Sequence, residues 1–199
     1  TARIMIKIGI VGDIGSGKSF VAKQFGYPVF NADNTVLKIY KKNRSCFKKL
    51  KKKLPKFVKS FPIKKRELSN AIVYDSKNLK KIEKIVHPKV QEKMNDFIKK
   101  NKNKKILVFD IPLLLEGKNY KKYVLVFVNA KKKDIYRNLK KRPNFNKNLI
   151  NKLRKSQLPL ESKKKRSQYI INNDFKSLSL KKRVKILKTK ILKNERNRT

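Results

Sequence analysis

The sequence predicts an α/β protein: a parallel sheet flanked by helices, with a helical insertion and a basic helical segment added to it. Three observations predict this. Short, β-branched apolar blocks recur along the chain at 5–11, 105–110, 123–128 and 169–172, the pattern of strands buried on both faces. Between them run Lys-rich stretches with helical spacing, and such alternation implies parallel strands joined by crossover helices. The first block also leads straight into a glycine-rich turn and then a helical start.

In chain order, residues 1–4 precede Met5 and are read as an added remnant or an upstream start, outside the fold. Met5–Val11 (MIKIGIV) is the first strand, and SFVAKQF after the turn begins a helix. Residues 27–33 (YPVFNAD) form a second short strand ending in polar residues. Residues 34–100 are Lys-rich and mostly helical, with breaks expected at Pro55, Pro62 and Pro88. Residues 105–110 (KILVFD) give a third strand, 123–128 (YVLVFV) a fourth and 169–172 (YIIN) a last one before a C-terminal helix. Residues 131–166 are basic and helical, broken at Pro143 and Pro159. The two helical stretches do not alternate with strands, so they read as subdomains at strand ends, where open α/β sheets bind ligands. The expected division is a core of 5–34, 101–130 and 168–199, an insertion of 35–100 and a lid of 131–167.

Gly12-Asp13-Ile14-Gly15-Ser16-Gly17-Lys18-Ser19 satisfies G-x-x-x-x-G-K-[ST] between a strand and a helix. Its glycines let successive N–H groups turn toward a phosphate, and the following helix adds its positive end. Lys18 would bridge β- and γ-phosphates, and Ser19 would offer a hydroxyl to Mg²⁺. The core is therefore of the P-loop NTPase type, with a nucleoside triphosphate and Mg²⁺ as expected ligands. Asp110 ends an apolar strand, where a carboxylate faces the metal or else caps a helix.

Composition limits the alternatives. Fifty-seven Lys+Arg stand against 13 Asp+Glu, for a net charge of +44, with 39% hydrophobic residues and one cysteine in 199 residues. The lone Cys46 excludes a disulfide scaffold and reads as packing. No stretch approaches the roughly 20 apolar residues of a membrane span, and no signal segment opens the chain. A cytoplasmic protein is the expectation. The positive excess is nearly all lysine, spread over the whole chain, with only ten arginines. A dedicated nucleic-acid binder concentrates charge on one face and interleaves Arg and aromatics, so no obligate nucleic-acid partner is expected. Where carboxylates are so scarce, those within apolar stretches stand out: Asp33, Asp110 and Glu116.

A phosphate loop alone leaves GTPases, motors and small-molecule kinases open. The chain has no NKxD guanine-reading segment, and its small size with inserted basic helices favours a nucleoside- or metabolite-kinase layout. Four segments together resemble the dephospho-CoA kinase family: IGIVGDIGSGKS at 8–19, PVFNAD at 28–33, the His87-Pro88 pair, and VFDIPLLLE at 108–116. RPNF near 142 and SQLPLESKKKRSQYIINN at 156–173 add a weaker echo. The resemblance implies ATP-dependent phosphorylation of the 3′-hydroxyl of dephospho-CoA, the last step of coenzyme A synthesis. It implies that Asp33 is the base for that hydroxyl, although a helix N-cap fits the residue too. Arg142 would be the lid arginine, and His87, Pro88, Leu113 and Glu116 would lie at the coenzyme side. Asn173 would contribute to the nucleotide site. Asp13, Asn31, Asn138 and Ser167-Gln168 depart from the family pattern. A monomer or weak homo-oligomer is expected. The alternatives are another P-loop kinase or a basic nucleic-acid-binding protein.

Overall fold

A computed structural model describes residues 5–114 and 120–197. In chain order the elements are β1 (Ile6–Gly12), α1 (Lys18–Gln24), β2 (Val29–Asn31), α2 (Ala32–Lys42), α3 (Arg44–Lys53), α4 (Lys65–Tyr74) and α5 (Lys77–Lys100). There follow β3 (Ile106–Asp110), β4 (Val124–Asn129), α6 (Lys132–Lys140), α7 (Lys147–Lys155), α8 (Leu160–Arg166), β5 (Tyr169–Asn172) and α9 (Ser177–Arg196). They group into two compact units, one drawn from residues 1–31, 101–145 and 157–199, the other from 32–100 and 146–156. Within 131–167, α6 and α8 thus cluster with the sheet and α7 with the helices.

The first unit is a five-stranded, wholly parallel sheet in the order β2-β3-β1-β4-β5. β1 lies between β3 and β4. The chain leaves β1 toward the β2 edge and leaves β4 toward the β5 edge, so the connections reverse direction between β1 and β4. Open α/β sheets bind ligands at the C-terminal end of such a switch point. One core cluster joins Ile8 and Ile10 of β1, Val108 of β3 and Val126 and Val128 of β4 to Val21, Ala22 and Phe25 of α1 and Leu180, Val184 and Ile191 of α9. Burying each of the Val, Leu, Ile and Phe side chains among these contributes about 1.5–3 kcal/mol. Phe109 alternates to the opposite face, where it meets Tyr123 edge-on at 5.2 Å. A Cβ on Gly9 would stand 2.4 Å from Leu114 Cδ2, so a larger residue there would push that side chain aside. Lys163 of α8 is buried, and its Nζ donates to Gln157 Oε1 at 2.6 Å. The burial of one of the many lysines is not evident from the sequence.

The second unit shows how so basic a segment folds. Cys46, Leu50 and Leu54 repeat every four residues, as do Asn78, Ile82 and Val86; with Leu68, Ala71 and Ile72 they are buried while the intervening lysines face water. Leu149 of α7 packs on the same cluster. Asn43 caps α3 by accepting from the Cys46 N–H at 2.8 Å, and Asn78 Nδ2 donates to the Ala71 carbonyl at 2.9 Å, tying α5 to α4. Burial in this core pushes the Cys46 thiol up from its ordinary range. Pro55 and Pro62 fall between helices, but Pro88 does not break α5, which runs through it from Lys77 to Lys100. The ring removes one N–H from the ladder, and the packing of Ile82 and Val86 just before it holds the helix together.

Candidate active site

β1 ends on Gly12, and the chain then wraps through Asp13–Gly17 into α1. Gly15 and Gly17 have φ of +84° and +91°, where a side chain would be strained. The loop is held from behind. Asn173, just past β5, is buried; its Nδ2 donates to the Ser16 carbonyl at 2.8 Å and its Oδ1 accepts from the Phe175 N–H at 2.8 Å. A Cβ on Gly17 would sit 2.2 Å from that Nδ2. From α6, Asn138 Nδ2 donates to the Gly15 carbonyl at 3.3 Å, and Leu139 closes over Gly15 itself. In the sequence Asn138 stands out only as a departure from the family pattern, and Leu139 only by helical spacing.

Inside the loop, Lys18 Nζ donates to the Asp13 carbonyl at 2.7 Å. Asp13 folds back, its Oδ1 accepting from the Ile14 N–H at 2.7 Å. The carboxylate therefore engages an amide of the very loop whose amides would face a phosphate. Ser16 Oγ is buried with no hydrogen-bond partner among the described residues. An unmatched buried hydroxyl costs about 1–3 kcal/mol, so a polar ligand at the loop gains from it.

The sheet brings a second group to this end. Ser19 Oγ, in the first turn of α1, donates to Asp110 Oδ2 at the tip of β3. Asn31 Nδ2, at the tip of β2, donates to the same oxygen at 2.7 Å. Hydroxyl and carboxylate oxygens side by side are the donors a hard divalent cation prefers, so the residues present fit Mg²⁺. Asp110 is the last residue of β3.

The other expected residues lie as follows. Asp33 is in the first turn of α2, exposed, two residues past Asn31 along the chain, and inside the helix rather than at its N-cap. His87 and Pro88 are exposed in the middle of α5. Leu113 is half-buried in the turn after β3, and Glu116 lies outside the described residues. Arg142 is exposed on the loop after α6, where its N–H donates to the Leu139 carbonyl at 3.0 Å. Arg137 pairs with Asp134 at 2.6 Å on α6, while Asn138 beside it faces the phosphate loop. Gln168 ties the last strand region to β4, its Oε1 accepting from the Leu125 N–H at 2.7 Å.

The family model for dephospho-CoA kinase matches residues 6–179, from β1 to the start of α9. The chain belongs to the dephospho-CoA kinase family. Among curated relatives, the dephospho-CoA kinase of Bartonella quintana is 36% identical over 83% of this chain and 87% of its own. That of Wolbachia pipientis is 37% identical over the same shares. A crystal structure from Thermus thermophilus is 28% identical, with a TM-score of 0.76, covering 96% of this chain and 98% of that one. The dephospho-CoA kinase from Campylobacter jejuni shares the fold at a TM-score of 0.62 and 22% identity, covering 95% of this chain and 98% of its own. Shikimate kinase from Acinetobacter baumannii shares it more distantly, at a TM-score of 0.50 and 14% identity over 96% of both chains. The five-stranded parallel sheet of this dephospho-CoA kinase family member is thus that of P-loop kinases.

Proposed function

We propose that this chain transfers the γ-phosphoryl group of ATP to the 3′-hydroxyl of dephospho-CoA, giving coenzyme A and ADP, with Asp33 as the base. The observation that carries the reading is the pairing of a complete phosphate loop with Asp110, through Ser19, in a chain of this family. Gly12–Ser19 would cradle the triphosphate. Lys18 would leave the Asp13 carbonyl for the β- and γ-phosphates, and Asn173 keeps the loop in shape from behind. Asp13 Oδ1, which accepts from the Ile14 N–H, would give way as phosphate arrives. Ser19 and Asp110 would hold Mg²⁺, which when bound neutralises phosphate charge and orients the γ-phosphoryl group.

The 3′-oxygen forms a bond to the γ-phosphorus as the bond to the bridging oxygen of ADP breaks, and the hydroxyl proton passes to the Asp33 carboxylate. Exposure suits Asp33 to this, since its oxygens are open to a substrate hydroxyl. Arg142 would meet the charge on the transferring group, with 131–167 acting as a lid that excludes water. The helical insertion of 35–100, with His87 and Pro88, would bind the coenzyme, together with Leu113 and Glu116. The chain would act in the cytoplasm as a monomer or weak homo-oligomer; among the described residues no helix is long and apolar enough to cross a membrane.

The test supplies MgATP and dephospho-CoA and weighs the product. A gain of one phosphoryl group in the wild type, lost in Asp33→Asn with ATP binding retained, is expected. Unchanged transfer in Asp33→Asn would remove the base; no transfer in the wild type would remove the acceptor.

A further inference from the structure

β5 is the last strand of the sheet order, and among the described residues it pairs with a strand on one side only, that of β4. The ladder shows which backbone groups face the other side. The Asn173 N–H donates inward to the Asn129 carbonyl at 2.8 Å. Backbone groups alternate sides along a strand, so Ile171 also turns inward while Ile170 and Asn172 present theirs outward. The Asn172 carbonyl is covered, accepting from Arg183 Nη1 of α9 at 2.9 Å. Ile170, by contrast, is 48% exposed.

Beside this edge lies a groove of about 490 Å³, lined by β5 and, from α9, by Arg183, Ile186, Leu187 and Lys190. Ile171 and Leu187 belong to the core cluster that seats α9 on the sheet, so the wall of the groove is held in place. Ile186 on that wall is 71% exposed. Outward N–H and C=O groups on an edge strand recruit another strand unless charge or a covering element blunts them. Arg183 blunts the edge at Asn172 and leaves it open at Ile170, next to an apolar wall. An extended chain laid there would gain backbone hydrogen bonds, and its side chains on the α9 side would meet Ile186 and Leu187.

Charge decides whose chain it is. A second copy would bring another net charge of +44 against this one. Arg183 has Asp174 as its partner at 3.2 Å, whereas Lys190 stands exposed at the groove. Apolar side chains with acidic neighbours therefore suit the site. We propose that the β5 edge is a docking site for an extended acidic segment of another protein, added to the sheet as a further strand. Such docking is independent of the phosphoryl transfer proposed above.

The probe is a short synthetic peptide of alternating valine and glutamate, blocked at both ends, titrated into the ¹⁵N-labelled full chain. The amide resonances of Ile170 and Asn172 are expected to shift. The same peptide N-methylated at every amide keeps its charge but loses its backbone donors, and is expected to bind about threefold or more weakly. Ile170→Pro removes one outward N–H without touching the β4 ladder, a change an edge strand tolerates, and is expected to weaken binding to a similar degree. Ile186→Glu, on the exposed face of α9, is expected to do the same by losing apolar contact and repelling the peptide. If the N-methylated peptide binds equally well, or the shifts spread over the lysine-rich helices and spare Ile170 and Asn172, the peptide is only a polyanion on a basic protein and the proposal is overturned. No shift at either amide overturns it too. Sedimentation of the chain alone as a dimer, with the Ile170 amide protected from exchange, would give the edge to a second copy and likewise overturn it. Where Ile170→Pro does not fold, Ile186→Glu decides, and wild-type binding by that variant refutes the docking site.

Discussion

Replacing Gly15 by alanine separates two costs that the phosphate loop imposes on its sequence. The backbone at Gly15 has φ of +84°, and an L-residue held there is strained by about 1–2 kcal/mol. The new Cβ would also lie 2.6 Å from Leu139 Cγ and 2.8 and 3.0 Å from its two methyl carbons. The whole fork of a buried leucine is in the way, so α6 must shift or Leu139 must leave its rotamer, at about 1–3 kcal/mol. Gly15→Ala should therefore cost roughly 2–5 kcal/mol. Leu139→Ala alone should cost about 2–5 kcal/mol through the cavity it leaves. In the double variant the overlap disappears and the φ strain stays, so the combined loss should fall short of the sum by about 1–3 kcal/mol. Urea unfolding of the four proteins, followed by circular dichroism, measures this coupling. Losses that add to within about 0.5 kcal/mol would show that Leu139 does not press on the loop and would refute the reasoning.

Other perturbations follow from single contacts. Asn173→Ala orphans the Ser16 carbonyl and the Phe175 N–H, so it should lower stability by about 2–4 kcal/mol and raise the KM for ATP more than it lowers kcat, as steady-state kinetics would show. Burial, and then the nearby Cys46 and Asp33, push the Tyr40 phenol above its ordinary range. Its neutral form is therefore favoured in the folded state; that stability is complete below the unfolded pKa of about 10 and is lost as pH rises beyond it. Thermal midpoints measured from about pH 8 to 11 should fall more steeply for wild type than for Tyr40→Phe, and parallel curves would exclude the effect. The lysine field should make the KM for both polyanionic substrates rise with ionic strength; a KM that stays flat from about 0.05 to 0.3 M salt would show that the field does not capture substrate.

Strand positions were legible because a parallel sheet demands uninterrupted apolar runs: KILVFD and YVLVFV could hardly be anything else, and YIIN at 169–172 matches β5 residue for residue. The phosphate loop was legible because only glycines tolerate its backbone, and the nucleotide chemistry followed from it. Pro88 misled, since its local rule was outweighed by packing on either side of it in a 24-residue helix. What the sequence could not give was which side chains share a strand end. Ser19, Asn31 and Asp110 are far apart in the chain and meet only because β2, β3 and β1 are neighbours in register, so the conversion of a carboxylate into a twice-bonded acceptor exists only in the folded sheet. Asn138, Leu139 and Lys163 are likewise ordinary helix residues until α6 and α8 dock, because which face of a helix a partner covers is a property of the partner as well.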